Sequence, residues 1–165
     1  MALNIPALPV AQQVAAIYVA YYGRAPDPSG NGFWTDFQRQ RLESGVPGQE
    51  VLVNVADRFA DAQESLASYP FLETPTETGA AAFVDNVYQQ LFNRTPEPEG
   101  RAFFTDLVLD RLAQDSPIGI VVLDILNGAG GKDRQTVEHK LAVAAAYPAG
   151  PVVSLERPRH PWGPT

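Results

Sequence analysis

Residues able to do acid–base chemistry near neutral pH are few in this chain. His139 and His160 are the only histidines, and neither lies in a catalytic motif. The sequence also has no Gly-x-Ser-x-Gly elbow, phosphate-binding loop, Gly-x-Gly-x-x-Gly or His-Glu-x-x-His motif. His139 falls in a predicted helix among charged residues, and Asp57 and Asp61 fall at helical spacing, which is typical of solvent-facing side chains. We therefore predict that the chain is not an enzyme and that it needs no cofactor.

A second group of residues that could bind or pair with charged groups occurs twice in the chain, 70 positions apart. Residues 18–51 align with residues 88–121 without a gap, and twelve pairs are identical where average composition gives roughly two. The recurring residues include Tyr18 and Tyr88, Arg24 and Arg94, Pro26 and Pro96, Gly30 and Gly100, Phe33 and Phe103, and Asp36 and Asp106. Trp34 aligns with Phe104, another aromatic residue. This pattern indicates a tandem duplication.

Apolar spacing in each copy predicts helices that position these residues. An amphipathic helix with apolar residues three and four apart ends before Pro26 or Pro96, since proline disfavours a helical residue ahead of it. A second helix follows each proline turn and is predicted to bury its aromatic residues: Phe33, Trp34 and Phe37 in copy one, Phe103, Phe104 and Leu107 in copy two. A third begins near Pro47 and near Ser116-Pro117, with Ser116 as N-cap, and a last helix covers 133–147. The predicted count is seven helices.

These elements predict an all-α fold made of a duplicated three-helix unit and a terminal helix. The first unit spans 1–72, and the second, with the final helix, spans 73–147. Residues 148–165 have five prolines and no helical period, which predicts an extended proline-rich tail. Trp162 in this tail is a candidate anchor for a partner's pocket.

The recurring arginines and aspartates suggest an ion pair within each copy. Arg24 and Arg94 follow a helix end, where a cation complements the helix dipole. Asp36 and Asp106 come twelve residues later, and we predict an Arg–Asp bridge that joins the first helix to the second. The alternative is that the arginines bind a ligand.

The loop from Asp27 to Gly32 has oxygen-bearing side chains at alternate positions, as calcium-binding loops do. Copy two places Arg101 where a third ligand would stand, and Pro28 stiffens the turn. Gln38, and not a glutamate, occupies the twelfth position. A plain proline turn without metal is therefore the predicted structure.

Aromatic residues could also stack on sugar rings. Tyr21, Tyr22, Trp34 and Trp162 are the candidates. For the first three, the apolar or aromatic residue at the same place in copy two favours a position in the core.

Charge argues against two classes of partner. The formal net charge is −7, which opposes binding to nucleic acid. Lys132 and Lys140 are the only lysines, so no polybasic cluster faces an anionic membrane. The longest apolar run, Ile118 to Leu123, is too short to span a bilayer. Neither nucleic-acid binding nor membrane insertion is expected.

The sequence from Ile17 to Trp34 resembles the bacterial domain-of-unknown-function 4214 family. That family's hallmark is a tyrosine, then Gly-Arg-x-Pro-Asp-x-x-Gly, then an aromatic pair, and copy two departs from it at Asn93, Glu97 and Phe104. The resemblance covers roughly residues 12–147, with Asp133 to Val143 similar to the family's terminal helix. The motif is also similar to the linker domain of cyanobacterial phycobilisomes.

What the resemblance implies is an accessory role without catalytic activity in exported bacterial proteins. It predicts a structural or interaction module of a bacterial surface or particle assembly, with a protein partner, of which a second copy of the chain is one candidate. A polysaccharide- or receptor-binding adhesin, or a spike or fibre component of a phage-like particle, is the alternative. The expected location is extracellular, on the cell surface or on a particle. Met1 to Val10 does not resemble a signal peptide, which leaves assembly in the cytoplasm before release open.

Overall fold

A computed structural model of the chain describes residues 2–146. Residues 147–165, with the predicted tail and Trp162, lie outside the described residues. The described part is all-α, with eight α-helices and 3-10 turns at Ile5–Ala7 and Pro70–Leu72. The helices are α1 (Val10–Tyr22), α2 (Pro28–Glu43), α3 (Gly48–Ala60), α4 (Gln63–Ser68), α5 (Glu77–Phe92), α6 (Pro98–Ala113), α7 (Gly119–Asn127) and α8 (Gly131–Ala146).

The predicted count of seven helices was wrong by one, because α4 was missed. Its sequence, Gln-Glu-Ser-Leu-Ala-Ser, is too short to show a helical period. The predicted start of the third helix in copy two was also wrong. Helix α7 begins at Gly119, and Ile118, not Ser116, is its N-cap residue.

Helices α1 and α5 end in the same backbone conformation. The residue after each helix is left-handed, Gly23 with φ 68° and Asn93 with φ 58°. Glycine and asparagine are the residues that adopt this conformation most readily. Each then donates its backbone N–H to the carbonyl four residues earlier, Val19 or Gln89, which closes the helix end. The direction in which Arg24 and Arg94 leave the helices follows from these caps.

The hydrophobic core is shared by the two predicted units. Helix α1 packs against α5 and α8, and α3 packs against α7, so helices at corresponding places in the sequence contact one another. Ile17, Val55, Phe83 and Leu123, two from each unit, are fully buried in one continuous cluster. Burial of apolar surface between the units is therefore a main source of stability.

The first residues close one end of this core. Leu3 donates its backbone N–H to the carbonyl of Ala129 at 2.8 Å, and the Ile5 N–H donates to Asn127 Oδ1 at 3.0 Å. Leu3 and Ile5 are both buried. The segment before α1 is thus fastened to the end of α7, in the other unit.

The predicted burial of two phenylalanines was wrong. Phe33 is 47% exposed and Phe103 is 61% exposed, although both lie next to the aromatic residue that faces inward. Helices α2 and α6 lie at the outside of the fold and bury few side chains, so only a narrow stripe of each is covered. Trp34 occupies that stripe in α2, and Phe33 points away from it.

Candidate functional site

Arg24 lies at the end of α1 in a setting made of two rings and a carboxylate. Its Cζ is 5.5 Å from the centre of the Tyr18 ring and 5.4 Å from that of Tyr22. Its Nη2 donates to both carboxylate oxygens of Glu64, on α4, at 3.0 Å each. We call these four residues the first arginine cradle. Cation–π contact and a charge-assisted hydrogen bond stabilise the guanidinium together.

The same arrangement recurs at the end of α5. Arg94 Cζ is 5.3 Å from the Tyr88 ring centre and 5.9 Å from that of Phe92. Its Nε and Nη2 donate to the two oxygens of Asp133, on α8, at 3.0 and 2.7 Å. This second arginine cradle is a bidentate pair, and its hydrogen bonds raise the pKa of Arg94.

The predicted Arg24–Asp36 and Arg94–Asp106 bridges were therefore wrong. Asp36 and Asp106 lie on the exposed faces of α2 and α6, and Asp36 pairs with Arg39 at 2.6 Å. The carboxylates come instead from α4 and α8, the fourth helix of each unit. Recognising α4 as a helix would have pointed to Glu64, which follows Arg24 by 40 residues, as Asp133 follows Arg94 by 39.

The proline turns position the outer helices. Asp27 is 5% exposed and is the N-cap of α2, where its carboxylate accepts the Gly30 N–H at 2.7 Å. Pro28 takes the first helical position, whose N–H has no partner within the helix. A capping role for Asp27 supports a proline turn over a calcium loop. Among residues 2–146, acidic and histidine side chains form no group of three suited to a metal ion.

The corresponding turn in copy two uses its acidic residue differently. Glu97 makes no side-chain cap for α6, and its carboxylate instead lies 3.3 Å from Arg94 Nη1. The longer glutamate side chain reaches back to the cradle, which a capping aspartate does not do. Pro96 is buried beside it, and a Cβ added at Gly100 would lie 3.8 Å from the hydroxyl of Tyr88.

The aromatic residues proposed as sugar platforms are mainly core residues. Trp34 is 1% exposed and its ring centre lies 5.0 Å from that of Phe59. Tyr21 is fully buried and donates its hydroxyl to the Ala56 carbonyl at 2.9 Å, and burial raises its pKa. Phe104 is half-buried, with its ring centre 6.3 Å from that of Tyr88. Trp34 and Tyr21 are enclosed and cannot stack on a sugar, whereas Tyr22 is half-buried, with its hydroxyl 2.8 Å from Ser65 Oγ.

An acidic cleft of about 400 Å³ lies where the two units meet. Its lining includes Asp57, Asp61, Glu73 and Asp115. Asp57, predicted to face solvent, is half-buried instead, and its Oδ1 accepts the N–H of Gly119 at 2.9 Å. Burial raises the pKa of Asp57, although the hydrogen bond from Gly119 acts in the opposite direction. Asp57 therefore caps the first turn of α7 across the unit boundary.

His139 is exposed on α8, as predicted, beside a pocket that Arg24 and Lys140 also line. Lys140 donates to the Gln90 carbonyl and, at 2.7 Å, to Asn93 Oδ1, which ties α8 to the end of α5. Burial lowers the pKa of Lys140.

The chemistry visible in both arginine cradles is charge pairing that joins helices. No helix within residues 2–146 is both long and apolar enough to cross a bilayer.

Comparison with known proteins gave no match to a family model, to a curated protein or to a solved structure.

Proposed function

We propose that the chain is a non-enzymatic interaction module of a bacterial surface or particle assembly. The observation that carries the proposal is the exposure of Phe33 and Phe103, two large apolar side chains that stand 70 residues apart in the aligned copies. Isolated exposed apolar residues are common on protein surfaces. The same residue exposed at the same place in both copies is better explained by contact with another protein.

We propose further that the chain arose by duplication of a helical unit and belongs to the domain-of-unknown-function 4214 family. The arginine cradles support this proposal, because each joins the end of the unit's first helix to its fourth helix. A second similarity supports it too. Gly45 and Asp115, again 70 residues apart, both have positive φ, 89° and 54°.

A protein partner fits the exposed rings better than a polysaccharide does. Sugar-binding platforms use tyrosine and tryptophan, whose polar groups also hydrogen-bond the sugar hydroxyls. Phe33 and Phe103 have no such groups, and Tyr21 and Trp34 are enclosed in the core. Phenylalanine is enriched at protein interfaces.

The first test is self-association, measured by sedimentation velocity over a wide range of concentrations. We expect the wild-type chain to form a defined oligomer and the Phe33→Ser/Phe103→Ser variant to sediment as a monomer. The matched control is Leu42→Ser, which alters a residue on α2 that is 40% exposed, and it should associate like the wild type. Circular dichroism would check that all three chains are folded.

A wild-type chain that stays monomeric at every concentration would exclude self-assembly. Binding of a different protein to the same rings would then be the mode of interaction to pursue. Equal association of the wild type and the double variant would contradict the role given to Phe33 and Phe103.

A further inference from the structure

A pocket of about 290 Å³ lies between the C-terminal end of α1 and the C-terminal half of α8. Its apolar walls are Val19, Val143 and Ala144, and we call it the α1–α8 pocket. Val143 is 44% exposed, which makes it one of four large apolar side chains exposed within residues 2–146. An apolar cavity of about 150 Å³ is large enough to bind benzene, so the α1–α8 pocket has room for one phenyl ring.

The rim of the α1–α8 pocket is basic. Arg24, His139 and Lys140 line it beside the apolar residues. Arg24 is paired with Glu64, whereas the hydrogen bonds of Lys140 within residues 2–146 end on neutral oxygens. The positive charge of Lys140 is therefore not balanced by an ion pair in that part of the chain. A group that complements the pocket is an apolar ring accompanied by negative charge.

Phe103, on α6, has this combination of properties. Its side chain is 61% exposed, so it does not occupy a pocket of its own chain. Glu99 lies four residues before it and Asp106 three residues after it, which places both carboxylates on the same face of α6 as the ring. Both acidic residues are exposed. The outer face of α6 thus presents an aromatic side chain between two negative charges.

Phe33, the corresponding residue of copy one, lies in a less acidic setting. Ser29 stands in place of the first carboxylate, and Asp36 pairs with Arg39 at 2.6 Å. Of the two exposed phenylalanines, Phe103 is therefore the one whose surroundings complement the charge of the α1–α8 pocket.

We propose that Phe103 of one copy of the chain inserts into the α1–α8 pocket of a second copy. This inference rests on the proposed function, because it names the partner of Phe103. Insertion removes the exposed ring and Val143 from water and brings the carboxylates of α6 close to Lys140. The ring and the pocket are different surfaces of the same chain. The contact is therefore head-to-tail, and each copy can bind two neighbours.

Two variants of the full chain separate the two halves of this contact. Phe103→Ser removes the ring and keeps the pocket, whereas Val143→Asp places a carboxylate in the pocket and keeps the ring. In sedimentation velocity, each variant alone should have a dissociation constant for self-association at least about tenfold above that of the wild type. A 1:1 mixture should form a dimer and nothing larger, because each variant supplies the one surface that the other lacks.

Matched controls use the mixed dimer as the readout. Adding Phe33→Ser to the Val143→Asp chain should leave the dimer unchanged, since Phe33 takes no part in this contact. Adding Asp106→Lys to the same chain should weaken the dimer about tenfold, because it places a positive charge near Lys140. Asp36→Lys, at the same place in copy one, should not weaken it.

Circular dichroism would check that each variant is folded, and His139→Glu at the exposed rim is a second variant that should block the pocket. A Val143→Asp chain that self-associates like the wild type, or a mixture that stays monomeric, would overturn the proposal. Loss of association in Phe103→Ser but not in Val143→Asp would reject the pocket while leaving the proposed function in place. A wild-type chain that is monomeric at every concentration would also overturn this contact, and the exposed rings would then bind a different protein.

Discussion

The arginine cradles show how a single residue type can serve two interactions at once. In each, the guanidinium lies over two rings on the last turn of a helix and pairs with a carboxylate from the fourth helix. Arg24 and Glu64 are the better shielded pair, with side chains 21% and 23% exposed, whereas Arg94 is 36% exposed. A shielded pair is less weakened by water and salt. The first cradle should therefore contribute more to stability than the second.

We expect Arg24→Ala to lower the free energy of unfolding by about 2 kcal/mol, from the loss of the cation–π contacts and the charged hydrogen bonds. Arg24→Lys should recover only part of this, since the compact ammonium group cannot lie flat on the two rings as the planar guanidinium does. Urea denaturation would measure both variants.

The control for this prediction is Arg39→Ala, which removes an exposed pair with Asp36. It should change stability by less than about 0.5 kcal/mol. An Arg24→Ala variant as stable as the Arg39→Ala variant would mean that the cradle is not stabilising.

The partial burial of the Asp57 carboxylate should make the stability of the protein depend on pH. Its pKa in the folded protein is raised by burial, so folding favours the protonated form. Its favourable contribution is then complete below the pKa of the unfolded chain, about 3.9, and is lost as pH rises through the folded value. Asp57→Asn removes the buried charge and keeps an oxygen that can accept the N–H of Gly119. We expect this variant to be more stable than the wild type at pH 7.

The gain from Asp57→Asn should shrink as pH falls toward 3, because the wild-type carboxyl then becomes neutral as well. Thermal unfolding at several pH values would measure it. Asp106→Asn, at an exposed position, is the control and should change stability by less than about 0.5 kcal/mol at any pH. A pH-independent difference for Asp57→Asn would show that desolvation of its charge is not the cause.

At the scale of elements, the start of α7 approaches the backbone of α3 closely at Gly119. A Cβ added at Gly119 would lie 2.5 Å from the backbone nitrogen of Asp57 and 2.7 Å from the carbonyl carbon of Ala56. Backbone atoms cannot move aside as a flexible side chain can. A glycine at this place is therefore what allows the first turn of α7 to approach α3.

Gly119→Ala should lower the free energy of unfolding by about 2–3 kcal/mol, because α7 must move away from α3. Gly48→Ala is the matched control, since Gly48 begins α3 and an added Cβ would meet only Leu42 Cδ2 at 4.0 Å. That variant should lie within about 0.5 kcal/mol of the wild type. Similar losses in the two variants would contradict the close approach of α7 to α3.

The whole molecule is expected to unfold as one unit, because its two predicted units share a core. Val14 and Ile17 of α1 and Val87 and Leu91 of α5 are fully buried, and α1 and α5 pack against each other. A fragment of residues 2–76 would expose the α1 and α3 faces that α5 and α7 cover. We expect that fragment to be unfolded by circular dichroism and amide exchange, while the full chain shows a single calorimetric transition.

A fragment that folds alone, or two separate transitions in the full chain, would contradict this prediction. Either result would mean that the contacts within one unit, such as α1 with α2, are sufficient for stability. The N-terminal segment also joins the two units, since the backbone N–H groups of Leu3 and Ile5 donate to Ala129 and Asn127, at and just after the end of α7.

Much of the architecture follows from the sequence because the relevant interactions are local. Pro26 and Pro96 predict where the first helix of each copy ends. The predicted amphipathic character of α1 was wrong, because α1 lies at the centre of the fold and is buried on all sides from Gln13 to Tyr21. The apolar spacing of Val51, Val55 and Phe59 predicts the buried stripe of α3, and that of Val121, Val122 and Ile125 predicts the buried stripe of α7. Helix α4 was missed because six residues contain less than two helical turns.

The sequence alone determined the all-α class, where the first helix of each copy ends and the recurrence of each arginine after its aromatic residues. Only the tertiary structure decided which carboxylate each arginine meets, that Phe33 and Phe103 are exposed, and that Asp57 is half-buried against Gly119. The physical reason is that periodicity and capping act within a few residues, whereas these contacts join positions about 40 or more residues apart or depend on how widely a neighbouring helix covers a face. Such contacts are set by the path of the chain.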